Sequence, residues 1–114
     1  MSNLLKHYPE ELRNKEIYKL TMDTKAQKMS DAAGMVLTIQ AWAIYEDADT
    51  KTGEMREVLS ILTPDGDVYS TISPTFKKDF LKMAEVFGEE LKKIEVVTGV
   101  SKNNRTYVTC AYAE

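Results

Sequence analysis

Few residues in this chain could make or break bonds, and their spacing argues against most such chemistry. There is one histidine, His7, and one cysteine, Cys110. A lone His and a lone Cys cannot assemble a zinc-ligand set. Cys110 alternates with Val108 and Tyr112 along a strand-like run, so it reads as a small core residue rather than a nucleophile. His7 reads as a solvated side chain. No Gly-x-x-x-x-Gly-Lys loop or Gly-x-Gly-x-x-Gly turn is present to cradle a phosphate. Asp47, Asp49 and Glu54 could offer oxygens to calcium or magnesium, but the calcium-loop spacing of glycine and terminal glutamate is missing. A solvated loop is the better reading. Neither catalysis, nor a bound metal, nor a cofactor is expected.

Aromatic surface beside cations is the more promising feature. Trp42, the single tryptophan, lies between Gln40 and Ile44 on the side of a strand-like run opposite its apolar face. An indole there is either covered by a loop or helix of the protein, or offered to a partner. Stacking on such a ring contributes about 1–3 kcal/mol per base in single-strand binders and tolerates any sequence. Tyr107 shares a strand face with Arg105, Thr109 and Ala111, beside a turn that carries Lys102. Arginine and an aromatic ring on one face are what a phosphate-and-base contact requires. The alternative is an ordinary solvated hairpin. Tyr69 is a third candidate platform, weakened by the nearby Asp65 and Asp67. Lys77, Lys78 and Lys82 lie opposite the phenylalanines of a helical stretch, a solvated face that could add nonspecific attraction.

These side chains need elements to hold them. Ser73 as N-cap, Pro74 at the first helical position, the spacing of Phe76, Phe80, Met83, Ala84 and Phe87, and Gly88 as the stop predict a helix over 74–87. Residues 35–46 predict the longest strand. Its Met35, Leu37, Ile39, Ala41, Ala43 and Tyr45 form a face expected to be the core, with the alanines making room where a barrel is crowded. Residues 46–54 are loop by composition. Strands over 55–63 and 67–72 are joined by Pro64-Asp65-Gly66, and strands over 94–100 and 105–112 by Ser101-Lys102-Asn103-Asn104. Residues 17–22, with Tyr18, Leu20 and Met22 on one side, predict a further short strand, and 23–34 a polar connection. Leu4, Leu5, Tyr8 and Leu12, interrupted by Pro9, predict an arm that either packs on the domain or makes a dimer contact.

Strand, strand, strand, helix, strand, strand over 35–112 is the order of the OB-fold, which binds oligonucleotides and oligosaccharides on its second and third strands and two loops. The expected fold class is therefore all-β with one helix: an OB-fold-like five-stranded antiparallel barrel, closed or nearly so, with an additional N-terminal arm or strand. The 114 residues are expected to form one domain, with 1–16 as the arm and 17–112 as the barrel. Hydrophobic residues make up 43% and charged residues 29%, ordinary for a globular protein. No apolar run is long enough to span a membrane, and the first residues lack the apolar stretch of a signal peptide. With one cysteine, a reducing cytoplasm is the natural compartment. Net charge is −3, too low for a basic nucleic-acid cloak, and residues 31–70 hold two basic and eight acidic side chains. A polyanion would have to approach the ends of the chain and avoid that block.

The layout resembles the small OB-fold single-stranded DNA-binding proteins encoded by bacteriophages. The resemblance is carried by Ala41-Trp42-Ala43-Ile44-Tyr45-Glu46-Asp47-Ala48, the Thr63-Pro64-Asp65-Gly66 hairpin and Ser73-Pro74-Thr75-Phe76. Val96-Val97-Thr98-Gly99-Val100-Ser101-Lys102, leading to Arg105-Thr106-Tyr107, completes it. It covers most of residues 17–112. It implies a protein of the bacterial host's cytoplasm that coats single-stranded DNA in phage replication or recombination without catalysis. Trp42, Tyr107 and Tyr69 would stack bases, and Arg105 and Lys102 would hold phosphates. Its partners would be single-stranded DNA, with a homo-oligomer and host or phage replication proteins as further candidates. The chain departs from the bacterial cellular family in lacking a glycine-rich tail with an acidic and aromatic end. The alternative is a small phage protein-binding module that inhibits or redirects a host protein through the acidic central surface.

Overall fold

The computed structural model describes residues 3–23, 25–49 and 51–113. The strands are β1 (Asn3–Tyr8), β2 (Gln27–Lys28), β3 (Val36–Thr38), β4 (Ala41–Ala48), β5 (Met55–Leu62), β6 (Val68–Thr71), β7 (Lys93–Val100) and β8 (Thr106–Tyr112). The helices are α1 (Asn14–Met22) and α2 (Pro74–Phe87). One sheet has the order β1-β4-β5-β6-β2 and the other β3-β7-β8. All pairings are antiparallel except the two-residue pair of β2 with β6.

The helix expected at 74–87 forms over those residues, for the reasons read from the sequence. Ser73 Oγ accepts a hydrogen bond from the Phe76 N–H, Pro74 occupies the first turn, and Gly88 ends the helix with φ of 55°. The apolar stripe faces inward. Phe76 and Phe80 are fully buried, with Met83, Ala84 and Phe87 packed against the same core. Burying each phenylalanine is worth about 1.5–3 kcal/mol.

Two expectations are corrected. Residues 17–22 belong to α1 rather than to a strand. Alternation over six residues is too short to settle a period. The local signal lies just upstream, where the Glu16 carboxylate accepts the Arg13 N–H at 3.0 Å and closes the helix start. Glu16 and Leu20, four apart, turn inward, while Tyr18 and Met22 are exposed. Among the described residues the fold thus has two α-helices rather than one. The second correction is that the barrel is not closed. Residues 35–46 are not one strand but two, because the chain changes sheet between neighbouring residues. Ile39 N–H donates to the Lys92 carbonyl beside the three-stranded sheet, and Gln40 N–H to Leu62 in the five-stranded one. This crossing joins the sheets on one side. On the other, β6 pairs with β5 and β2, and β8 pairs with β7, so β6 and β8 share no ladder.

The crossing also divides the core. Leu37 and Ile39 enter the main core between the sheets, whereas Ala41 and Ala43 join Leu20, Leu62 and Val68 in a second cluster under α1. The two alanines make room for a helix rather than for a barrel interior. Ile44, on the opposite face of β4, enters the main core, with Trp42 of the same face packed against it. Met35, expected in the core, is exposed. The connection 23–34 is not wholly polar, since a short 3₁₀ turn at Met29–Ala32 buries Met29 and Ala32 in the main core.

Candidate nucleic-acid interface

A groove of about 710 Å³ opens at the unpaired seam between β6 and β8. Tyr45 and Val58, cross-strand partners on the outer face of the five-stranded sheet, line it together with Ser70. Ala26 and Lys28–Ser30 line one side, and Thr106–Val108 the other. Burial pushes the Tyr45 phenol above its ordinary pKa, and the neighbouring Asp47 carboxylate adds to the effect. Tyr45 therefore stays a neutral ring with a donor at its tip at physiological pH.

Tyr107 stands at the β8 side of the groove, 39% exposed. Its position follows from its cross-strand partner, Gly99 on β7. A Cβ built on Gly99 would overlap the end of the Tyr107 ring. Only glycine lets this ring lie across the neighbouring strand. The hairpin beyond it is closed by Ser101 N–H donating to the Arg105 carbonyl at 2.9 Å and Asn104 N–H to the Ser101 carbonyl at 3.0 Å. Asn104 takes the left-handed conformation, φ 58°, which asparagine tolerates better than most residues. Lys102 and Arg105 are exposed at this tip, next to the groove wall rather than within it.

Arg56 and Asp47 complete the groove at the loop end of β4 and β5. They are cross-strand partners. The Arg56 guanidinium lies 3.9 Å from Asp47 and 3.5 Å from Asp49. Asp49 also organises its own loop, its Oδ1 accepting the N–H of Lys51 at 2.7 Å and of Thr52 at 3.3 Å. Those N–H groups, then Arg56, hold the Asp49 carboxyl below the usual carboxylate range. Among the described residues, no group of His, Cys, Asp and Glu could hold a metal ion. Cys110 is buried, and its thiol is pushed up to about 12 by burial and by Asp79, which leaves it protonated and unreactive.

The other aromatic candidates stand apart from this groove. Trp42 is half-buried, meeting Phe80 edge to face at a centroid distance of 5.1 Å. It lines a separate cleft with Lys6, Tyr8 and Ala84. Being one residue out of phase with Tyr45, it points to the opposite face of β4. Of the two fates open to this indole, cover by the protein or exposure to a partner, α2 supplies part of the first through Phe80. Tyr69 is only 6% exposed and belongs to the main core. The alternation of β6 points Tyr69 between the two sheets, and what remains exposed of it borders a separate cleft with Leu37 and Pro64. Lys77 reaches back to β5, donating to the Glu57 carbonyl at 3.0 Å, while Lys78 and Lys82 are exposed.

Sequence reading missed Arg56, Tyr45 and Lys28 as groove residues. Parity places Tyr45 in the core, and it is buried, but on the outer face. The signal for Arg56 is its charge opposite Asp47, which emerges only once the register of β4 and β5 is known.

No helix among the described residues is long and apolar enough to cross a membrane. Residues 16–112 match the family model described as phage single-stranded DNA-binding protein. That match spans most of the chain, and the chain belongs to this family, the Phi29 phage single-stranded DNA-binding proteins. No curated protein and no solved structure matches it.

Proposed function

We propose that this protein coats single-stranded DNA without sequence preference during phage DNA replication or recombination in the bacterial host cell, doing no chemistry on it. The observation that carries this reading is the Tyr107 ring laid across Gly99 at the edge of the groove, with Lys102 and Arg105 on the adjoining tip. A ring held against one strand and open on its other face suits a stacked base, and the tip cations suit the flanking phosphates. The family membership supports single strands as the ligand. We read the architecture as an open relative of the OB-fold, with β1 and α1 added to it and the groove over the strands that correspond to its binding face. The half-covered Trp42 serves packing in this reading, and Tyr69 serves the core.

Titration of labelled oligo-dT against duplex DNA of equal length tests the proposal. Preference for the single strand is expected. Equal affinity for the duplex, or none for oligo-dT, would reject it, and the second result would turn attention to a protein partner for the acidic central surface.

A further inference from the structure

We infer that Arg56 is a phosphate-binding residue of the groove, held in check by Asp47 and Asp49 until DNA displaces them. The inference rests on the DNA-binding reading and adds to it the residue and the competitors that set its strength. Arg56 lines the groove that Tyr107 borders, 41% exposed at its side chain. It therefore offers its guanidinium where a backbone following the stacked base would run. Its two carboxylate contacts are long, 3.9 Å to Asp47 and 3.5 Å to Asp49, each through a different terminal nitrogen. Neither is the short bidentate fork that makes an arginine pair strong. Exposed pairs of this kind contribute little and are readily exchanged. A phosphate presents the planar fork with a better acceptor. The exchange gives up both carboxylate contacts, so Asp47 and Asp49 subtract from affinity by competing for the Arg56 guanidinium that they shield in the free protein.

Asparagine at both acidic positions separates charge from structure. At position 49 it keeps the Oδ1 acceptor that the Lys51 and Thr52 N–H groups use. Oligo-dT affinity is measured across a salt series for the wild type, for Asp47→Asn with Asp49→Asn, for Arg56→Gln, and for all three changes together. Thermal melting confirms that each is folded. The paired asparagine variant is expected to bind up to about fivefold more tightly per carboxylate removed, with a steeper salt dependence. Arg56→Gln is expected to bind more weakly, its log–log slope shallower by about 0.7, one phosphate's worth for a single strand. In the triple variant the gain from the asparagines should largely vanish, because the carboxylates act through Arg56. A gain of equal size with and without Arg56 would reduce the carboxylates to plain repulsion and overturn the inference. So would an Arg56→Gln protein with wild-type affinity and slope. Failure of every protein, wild type included, to bind oligo-dT would instead remove the DNA-binding reading, and the inference with it.

Discussion

At the scale of single residues, the molecule separates side chains that build the fold from side chains available to a ligand, and the two respond differently to substitution. Tyr107→Ala is expected to cost about 1–3 kcal/mol of oligo-dT affinity with little change in melting temperature. Gly99→Ala makes a sharper test. The added methyl would collide with the far end of the Tyr107 ring, which is part-exposed and can swing away. The fold should survive, the platform should be lost, and affinity should fall about as far as in Tyr107→Ala. A Gly99→Ala protein that melts normally and binds like the wild type would show that the ring's position against β7 is irrelevant to DNA. Trp42→Ala should behave in the opposite way. Its edge-to-face contact with Phe80 ties it to the core, so the loss should be in stability, roughly 3 kcal/mol by denaturant melting, with affinity retained below the transition.

At the scale of elements, α2 and α1 hold the two sides of the five-stranded sheet. Phe80 is fully buried at the centre of the α2 stripe, and Phe80→Ala should cost about 3–5 kcal/mol by urea denaturation. α1 covers the outer face through Leu20 over Ala41 and Ala43, and it is fastened by polar contacts. Lys19 donates to the Gly66 carbonyl at 3.3 Å, and Gln40 donates to the Glu16 carboxylate at 3.4 Å. The Glu16 carboxyl lies below its ordinary pKa, chiefly because it accepts the Arg13 N–H and despite the opposing effect of burial. A carboxyl with a folded pKa below its unfolded one stabilises the fold fully above the unfolded value, about 4.3 for Glu, and loses that contribution as pH falls through the folded one. The melting difference between wild type and Glu16→Gln should therefore be largest near neutral pH and shrink below about pH 4. A difference that stays constant down to pH 2 would mean that the Glu16 charge does not matter to α1.

At the scale of the whole molecule, charge and closure set how DNA is met. The chain is acidic overall, and eight of its acidic residues crowd into residues 31–70. Among the described residues, Lys28 and Arg56 line the groove, and Lys102 and Arg105 stand on the adjoining tip, four cations placed for the bound strand. At about 0.7 per neutralised phosphate on a single strand, they limit the log–log salt slope to about −3. Affinity measured from low to moderate salt should follow a line no steeper than that. A steeper one would require cations outside the groove, with Lys78 and Lys82 on α2 the first to substitute. The open seam matters equally. Because β6 and β8 do not pair, the chain leaves space there for Tyr45, Lys28 and Tyr107 to surround, where a closed ladder would have filled it with backbone.

Elements whose signals are local are legible in the sequence. The α2 boundaries follow from Ser73, Pro74 and Gly88, the β5–β6 turn from Gly66, and the placement of Cys110 in the core from strand alternation, because caps, φ angles and a period of two act over a few residues. Which core each face enters was decided only by the tertiary structure. Leu37, Ile39, Ala41 and Ala43 form one unbroken alternation, yet the sheet change between Ile39 and Gln40 sends the first two between the sheets and the last two under α1. A six-residue alternation at 17–22 likewise could not reveal a helix whose inward face is chosen by those alanines. The groove is the strongest case. Tyr45, Arg56 and Tyr107 are far apart in sequence, and they come to one groove through the register of β4 with β5 and the packing of the β7–β8 hairpin at the seam. Registers and seams are settled by contacts between distant segments, which no local period encodes.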